Sequence, residues 1–377
     1  MIYPAKIGIV GGGQLGKMLA IAAKKMGFFV IVTDPTPNSP AGQVSDSQIV
    51  GDYKDQKATY KLAKKSDIIT VEAEFVNTQV LQKIKNSGKM VHPSPKIISV
   101  IKDKLKQKEF LKKNKIPTAE FVRIDKKEDI EKAISVFGFP IMLKAREDAY
   151  DGKGNFVISK NPDIKLGLEK LENRKLYVEK YIKFEKELAV MIARNLNGEF
   201  AIYPVVETIH KDNICDTVIV PASVSKKAAE NAVQLAKKTI KKLRGVGIFG
   251  IEMFLLKNDK VLINEIAPRV HNSGHYTIEA SVTSQFEQHI RAITGLPLGS
   301  TDLIVKSAVM KNILGTAKGN GIPKGVEKAL KIPGVSFHLY GKKEARVGRK
   351  MGHITVVGNS VNECLRKAKK ARKALVI

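Results

Sequence analysis

Tryptophan is absent from the 377 residues, cysteine occurs only twice, and acidic residues number 37 against 65 lysines and arginines. Each shortage excludes something. Cys215 and Cys364 stand at unrelated positions, so neither a disulfide framework nor a zinc-ligand spacing is present. No run approaches the roughly 20 apolar residues of a membrane-crossing helix, and the N-terminus runs straight into a strand and a glycine turn. The expectation is a cytoplasmic protein with no membrane partner. The formal charge of +28 invites a nucleic-acid reading. The lysines, however, are scattered along helical segments such as 103–115 and 231–242 rather than gathered with aromatic residues, and no nucleic-acid motif occurs. A basic solvated surface that draws in phosphorylated small molecules is expected instead, with no specific nucleic-acid partner. The competing reading, a nonenzymatic basic scaffold, requires tight RNA binding with steep salt dependence and no turnover of ATP.

What is present concentrates between Val261 and His275. After Ile263-Asn264-Glu265-Ile266-Ala267-Pro268-Arg269 the chain reads His271-Asn272-Ser273-Gly274-His275. An acid, a guanidinium, two imidazoles, an amide and a hydroxyl are more polar chemistry than a turn needs, and a packed core tolerates it only with partners. A site for a divalent cation and for anions accounts for it; a solvated loop after a strand is the bland alternative. The acid has a mate. The apolar runs 247–256 and 260–265 flank the turn-prone Asn258-Asp259, which reads as a β-hairpin. If those two residues form the loop, Glu252 faces Glu265, with Cβ atoms roughly 5 Å apart. Two like charges so placed need neutralising. Magnesium, which takes one or two carboxylates and fills its shell with phosphates and water, does so best.

The rest of the chain has room for two or three domains. Residues 6–10, the glycine turn 11–16 and the helical face Leu15, Met18, Leu19, Ala22 and Met26 form a βαβ start, with Asp34 about twenty residues beyond the glycines. Alone this fits an NAD-binding oxidoreductase or any doubly wound domain that holds a ligand at its strand ends. The strand 67–71 ends in Glu72-Ala73-Glu74. A lysine-rich helix from about 103 to 114 leads to a second unit. There the strand 140–144 is followed by Ala149-Tyr150-Asp151-Gly152-Lys153-Gly154-Asn155 and another strand. Two glycines and a lysine between strands suit a flexible cover for phosphates. In the last part, strands at 335–340 and 353–357 flank Lys342, Arg346, Arg349 and Lys350, cations that suit a phosphate monoester. A basic amphipathic helix is expected from 361 to 377.

Taken in order, the glycine loop with Gln14, Lys144 on a strand, 150–154, the Glu252 and Glu265 pair, Ala267-Pro268-Arg269, His271 to His275 and Thr283-Ser284-Gln285-Phe286-Glu287 resemble the N5-carboxyaminoimidazole ribonucleotide synthetase family, ATP-grasp enzymes of purine biosynthesis. Segments such as 70–74, 187–191 and 206–215 look like the version fused in fungi to a carboxylase or mutase domain. The resemblance implies an α/β and α+β ATP-grasp fold: a Rossmann-like domain at 1–102, an ATP-grasp domain at 103–299 with a lid at about 115–183, and a small β-rich domain at 300–377. It implies ATP and Mg2+ as cofactors, and 5-aminoimidazole ribonucleotide and bicarbonate as substrates. A separate mutase and a homodimer are implied as well.

The resemblance also assigns residues. Glu252 and Glu265 would hold the metal, with Asn264 nearby. Lys104, Lys144 and Lys153 would offset phosphate charge beneath the lid 149–155. Glu179, Lys180, Tyr181 and Ile182 would line the adenine pocket, Glu187 would take the ribose, and His210 would lie beside the nucleotide. Arg269, His271, Asn272, Ser273, Tyr150 and Lys153 would form the bicarbonate pocket. Gln14, Leu15, His275 and Glu72 or Glu74 would meet the aminoimidazole, and Lys342, Arg349 and Lys350 its phosphate. Lys104 stands where many relatives have Arg, Asn155 where many have Gln, and Ala267 where many ATP-grasp enzymes have a ligand Asn. Strand alternation sends Asn264 away from Glu265 unless a bulge intervenes. The nearest rival is formate-dependent glycinamide ribonucleotide transformylase, which shares the fold but lacks the His271 to His275 pattern.

Overall fold

Short runs of β-branched residues alternating with amphipathic helices build the first sheet. In the computed structural model, which describes residues 3–148 and 152–377, the strands Ser47–Val50, Phe29–Asp34, Lys6–Val10, Ile68–Val71 and Met90–Val91 lie side by side in that order, all parallel. The chain begins in the middle and grows first to one side and then to the other, which opens a crevice at the carboxyl ends of Lys6–Val10 and Ile68–Val71. The glycine turn and the acids Glu72 and Glu74 follow those two ends.

A four-stranded antiparallel sheet follows, in the order Phe121–Ile124, Leu176–Lys180, Ile141–Ala145, Asn155–Ile158. Its alternation is clean. Ile141, Leu143 and Ala145 are buried in a core with Ile130, Ala133 and Val178, so Met142 and Lys144 point the other way, into the cavity described below.

The third sheet is large and mainly antiparallel. Its strands run Val261–Ala267, Gly247–Leu255, Lys186–Arg194, Val206–Lys211, Ile214–Val220, Ser307–Leu314, Lys350–Gly358, Val335–Leu339. The three long strands beyond residue 300 extend this sheet, because Ser307–Leu314 pairs directly with Ile214–Val220, while Gly319–Asn320 and Glu344–Ala345 form a small two-stranded sheet of their own. The basic loop between Val335–Leu339 and Lys350–Gly358 is therefore carried by the same sheet as Glu252. The helix Lys226–Leu243 packs on this sheet through Ala228, Ala232, Ala236 and Ile240, which recur every fourth residue. The helices expected at 103–114 and 361–377 are Lys104–Lys113 and Val361–Ala374, and Asp103 caps the first by accepting from the Leu105 and Lys106 N–H groups. No described helix is long and apolar enough to cross a membrane.

The hairpin departs from its expected turn. Lys257–Asp259 forms a 3-10 turn in which Asn258 and Asp259 have φ of 60° and 59°, and next to it Met253 pairs with Ile263. The register then shifts by one residue, so that Asn264 is extra and Glu252 pairs with Glu265. A bulge of this kind lets neighbouring side chains serve one face; Asn264 and Glu265 both line the cavity.

Candidate active site

Residues from all three sheets converge on one cavity of about 850 Å³. Its wall contains Gln14, Leu15, Glu72, Glu74, Lys104, Lys144, Gly152, Lys153, Gly154, Asn155, Glu179, Lys180, Tyr181, Ile182, Glu187, His210, Glu252, Asn264, Glu265, Arg269, His271, Asn272, His275, Lys342, Arg349 and Lys350. Every described residue expected in the site is thus brought together except Ser273, which is buried behind His271 and bonded to its ring. Ala149, Tyr150 and Asp151 lie outside the described residues. Gly152 has φ of +73°, and a Cβ there would stand 2.3 Å from the Asn213 Cβ, so this part of the glycine loop passes too close to the 212–213 turn for any side chain.

The two acids of the hairpin are not alike. Glu265 pairs with the Lys104 ammonium, whereas Glu252 faces the neutral imidazole of His271, with Nε2 at 3.4 Å. Burial, and then the charge of Glu265, push the Glu252 carboxyl up to about 7. Two carboxylates that cannot both ionise comfortably are what a divalent cation relieves. Among the described residues no group of three or more His, Cys, Asp and Glu is set to hold a metal. Any cation here would rely on Glu252 and Glu265, with Asn264 adjacent, and on oxygens that the substrates bring, the way magnesium is bound.

A buried ionic cluster backs the nucleotide side. The Glu179 carboxylate lies 3.1 Å from Lys108 Nζ and 3.2 Å from Lys144 Nζ, and accepts a 3.0 Å hydrogen bond from Tyr177. Burial alone would raise the Glu179 carboxyl, but Lys108 and then Lys144 hold it down to about 2. Lys108 is the surprise. Its side chain is 2% exposed, and burial lowers its pKa although Glu179 opposes the shift. It follows Lys104 by four residues on one helix, so the i, i+4 spacing was a signal for it. Further along, Phe184 stacks on Phe254 with ring centroids 4.6 Å apart, and both line the cavity. Phe254 lies two residues beyond Glu252 on the same strand face, and period-two reasoning could have named it. Glu187 contacts His210; burial works against a charged imidazole, but this carboxylate raises its pKa.

The glycine turn holds no space for a dinucleotide's phosphates. Glu72 accepts from the N–H groups of Gly13 at 2.8 Å and Gly16 at 2.6 Å, the donors that a pyrophosphate would otherwise take at the start of the helix Gln14–Lys25. Gly12 donates to Asp34 at 3.2 Å, so the acid that would take a ribose in a dinucleotide fold is engaged too. Burial raises the Glu72 carboxyl, against those two hydrogen bonds.

Arg269 grips a carboxylate with two bonds, as expected of its fork, but the carboxylate is Glu74, at 2.7 and 3.2 Å. A third N–H goes to the Val270 carbonyl. Of its five donors two make no hydrogen bond to the described residues. Burial opposes the charge on Glu74, yet Arg269 and Lys104 bring its carboxyl down to about 2. His271 is neutral, pushed down to about 3 by burial and then by Arg269. Ser273 N–H approaches its Nδ1, which leaves the proton on Nε2, the atom nearest Glu252. The Asn272 amide is spent on Asn312 in two hydrogen bonds of 3.0 and 2.6 Å. Cys215 lines the cavity, but burial pushes its thiol up to about 12, so it is no nucleophile.

The basic loop is held from a distance. Lys342 donates to the Lys350 carbonyl at 2.8 Å and Arg349 to the Glu344 carbonyl at 2.7 Å. Lys17, on the first helix, donates to the carbonyls of Leu339 and Tyr340 at 3.3 and 3.2 Å, and Gln43 donates to that of Gly341 at 2.9 Å. Nothing in the local sequence announces the contacts of Lys17 and Gln43, which span about three hundred positions.

Comparison with known proteins agrees with this picture. The chain matches the descriptions of a ribonucleotide synthetase preATP-grasp domain at residues 4–102, an ATP-grasp domain at 109–286 and a phosphoribosylaminoimidazole carboxylase C-terminal domain at 308–367. It is 47% identical over 369 residues to phosphoribosylaminoimidazole carboxylase of Ogataea methanolica, covering 96% of this chain and 68% of that protein. Against the further fungal relatives from Candida glabrata and Schizosaccharomyces pombe it spans 64% and 66% of their length, about two thirds in each case. Among solved structures, N5-carboxyaminoimidazole ribonucleotide synthetase from Thermotoga maritima superposes with a TM-score of 0.90 at 51% identity, covering 99% of each chain. The Aspergillus clavatus N5-carboxyaminoimidazole synthase, solved with ADP and 5-aminoimidazole ribonucleotide, gives 0.92 at 39% identity, again over 99% of each chain.

Proposed function

The chain belongs to the N5-carboxyaminoimidazole ribonucleotide synthase family of ATP-grasp enzymes, and we propose on that premise that it uses ATP and bicarbonate to carboxylate the amine of 5-aminoimidazole ribonucleotide in purine biosynthesis. The observation that carries the reading is one cavity that holds both the Glu252 and Glu265 pair with Lys104 and Lys144 and the cations Lys342, Arg349 and Lys350. The first set suits a triphosphate; the second suits a phosphate monoester.

Bicarbonate is a poor electrophile, so it has to be activated. One of its oxygens attacks the γ-phosphorus, the bond to the bridging oxygen breaks, and ADP leaves. In the resulting carboxyphosphate the carbon is transferred to the amine nitrogen as its bond to the phosphate oxygen breaks. Phosphate departs, and the amine gives up one proton. Catalysis of this kind is mostly charge neutralisation and positioning. Lys104, Lys144 and Lys153 offset the triphosphate charge, Glu187 holds the ribose, and residues 179–182 with the Phe184 and Phe254 pair enclose the base. Mg2+ held by Glu252 and Glu265 would supply further charge neutralisation at the phosphates.

The two unspent N–H groups of Arg269 and the Nε2–H of neutral His271 provide donors for bicarbonate. Glu72 and Glu74, each already hydrogen-bonded within the protein, line the cavity with Gln14 and Leu15, where the aminoimidazole is assigned. Residues 149–155, of which 152–155 are described, cover the phosphates and shield carboxyphosphate from water. The reading carries with it unit boundaries at 102/103 and 299/300 with a lid at about 115–183, a homodimer, a cytoplasmic location, and a mutase that acts on the product.

Product analysis tests it. ADP release that depends on bicarbonate and requires 5-aminoimidazole ribonucleotide is expected. Turnover with formate and glycinamide ribonucleotide instead would overturn the assignment.

A further inference from the structure

Behind the cavity wall runs a double row of polar residues, of which only Asn272 and His275 belong to the assigned site. Asn312, His353 and His338 occupy paired positions on three neighbouring strands, Ser307–Leu314, Lys350–Gly358 and Val335–Leu339. Over them passes the segment 272–279, which meets each in turn. Asn272 exchanges two hydrogen bonds with Asn312. The His275 ring lies 4.9 Å from that of His353. Glu279 contacts His338 Nε2 at 2.6 Å. The His338 and His353 rings stack at 4.4 Å. The row begins at the cavity, where Asn272 and His275 form part of the wall, and ends near the surface, where the His338 side chain is 28% exposed.

This row is incompletely satisfied. Of the seven buried side-chain polar atoms without a hydrogen-bond partner among the described residues, five belong to it or flank it: His275 Nε2, His353 Nε2, Glu279 Oε2, the Tyr276 hydroxyl and Thr355 Oγ1. The imidazoles can be oriented. Gln285 donates to the His271 carbonyl and accepts from the His271 N–H, which fixes its amide, and the same amide nitrogen faces His275 Nδ1 at 3.2 Å. The His275 proton is therefore on Nε2, a donor with no acceptor among the described residues. His353 spends Nδ1 on the Tyr340 hydroxyl at 3.0 Å. Buried polar atoms left alone cost free energy, and a polar cluster with several converging partners is where internal water resides.

The location of the rungs gives them a consequence. His353 lies three residues into the strand that Lys350 begins, and His338 lies four residues before Lys342. The opposing segment follows directly on Arg269 and His271. We infer that the double row is a hydrated positioning device: ordered water takes up the unpartnered atoms, and His353, a positioning residue, sets the basic loop 342–350 against the segment that carries Arg269 and His271. This rests on the reading above only in assigning Lys342 and Lys350 to the ribonucleotide phosphate.

Two experiments test it. In steady-state kinetics, His353→Leu, which keeps the volume and removes both nitrogens, raises the KM for ribonucleotide about tenfold while the KM for ATP stays within about twofold. His353→Gln, which keeps hydrogen-bonding capacity, stays within about threefold of wild type for both. A folded His353→Leu enzyme with unchanged ribonucleotide KM, or with both KM values raised alike, overturns the positioning role. Should His353→Leu not fold, Glu279→Gln at the outer rung carries the same test, with a rise of about threefold in ribonucleotide KM expected and no rise counting against it. Separately, a high-resolution crystal structure without substrate shows water bonded to His275 Nε2 and His353 Nε2; a dry gap there refutes the hydrated row. That second result needs no turnover, so it stands apart from any failure of the proposed reaction.

Discussion

Glu252 stands opposite Glu265 because one residue, Asn264, is bulged out of the ladder between them and the turn. Without the extra residue Glu252 would face Asn264, and the acids would lie on opposite faces of the sheet. With it, two carboxylates share one cavity wall and the Glu252 carboxyl rises to about 7, through burial and then the charge of Glu265.

The first prediction follows from that conflict, and it has opposite signs for stability and activity. A group raised in the folded state contributes stability below its unfolded pKa and loses it as pH rises, here from about 4.5 through about 7. Glu252→Gln should therefore raise the melting temperature of the metal-free protein at pH 8 and yet abolish turnover, because a cation loses a charged ligand. Glu265→Gln should also fall below about a tenth of wild-type turnover with the fold intact by circular dichroism. Retained activity in either variant removes the metal assignment.

The hairpin also shows how far the letters reach. Apolar runs and a turn-prone Asn258-Asp259 were enough to pair Glu252 with Glu265, although the turn is one the chain does not make. Its 3-10 geometry displaces the register by one, and the Asn264 bulge restores it. Two departures cancelled. Local periodicity likewise carried the parallel first sheet and Lys144 on its strand. What periodicity does not report is which charges are already occupied. Glu72 on the glycine turn, Glu74 on the Arg269 fork and Glu179 between two lysines are contacts between residues far apart in the chain. Each changes the chemistry read from the same residues. The occupied glycine turn, above all, removes the nicotinamide reading that its spacing had left open.

Lys108 provides the second prediction. A buried ion pair contributes little net stability, but removing one partner leaves a buried charge and costs about 3–5 kcal/mol. Lys108→Met should cost stability on that scale and, because Glu179 then draws fully on Lys144, raise the KM for ATP by about tenfold with the ribonucleotide KM little changed. Adding Glu179→Gln should recover part of the lost stability, since the buried carboxylate is gone and Lys144, which loses its partner, is 16% exposed and borders the open cavity, without recovering the KM for ATP. Chemical denaturation of the two variants decides the first half and kinetics the second. A stability loss with both KM values unmoved would leave Lys108 a packing residue.

Lys17 ties the first helix to the strand end before Lys342, and burial lowers its pKa. Replacing it by methionine keeps the aliphatic stem and removes the two hydrogen bonds to Leu339 and Tyr340. The loop bearing Lys342 should then drift, raising the ribonucleotide KM by about fivefold with the KM for ATP unaffected. Isothermal titration with the ribonucleotide alone checks the same point without turnover. Equal binding by the variant and wild type would show that Gln43 holds the loop without Lys17.

The histidines set the response to acid. Of seven histidines, three are buried and two half-buried, and desolvation lowers the pKa of all five: His92 to about 4, His271 and His289 to about 3, and His275 and His353 well below the ordinary value. A depressed folded pKa means stability that is present above the unfolded value near 6.5 and lost as pH falls toward the folded one. Each such group costs about 1.4 kcal/mol per pH unit once the unfolded state is charged and the native state is not. Glu252, Glu72 and His210, all raised in the folded protein, act with the opposite sign, three groups against five. Glu74 and Glu179, both near 2, lose their contribution only below about 4.5. The urea midpoint should therefore vary little between pH 8 and 7 and fall steeply from about pH 6.5 to 5, before the ion pairs are touched. Replacing His289, which bridges Thr70 and the Ile248 N–H, by glutamine should make that fall shallower by about one proton's worth of slope. A midpoint that holds steady from pH 7 to 5 would mean that these imidazoles are not kept neutral by the fold.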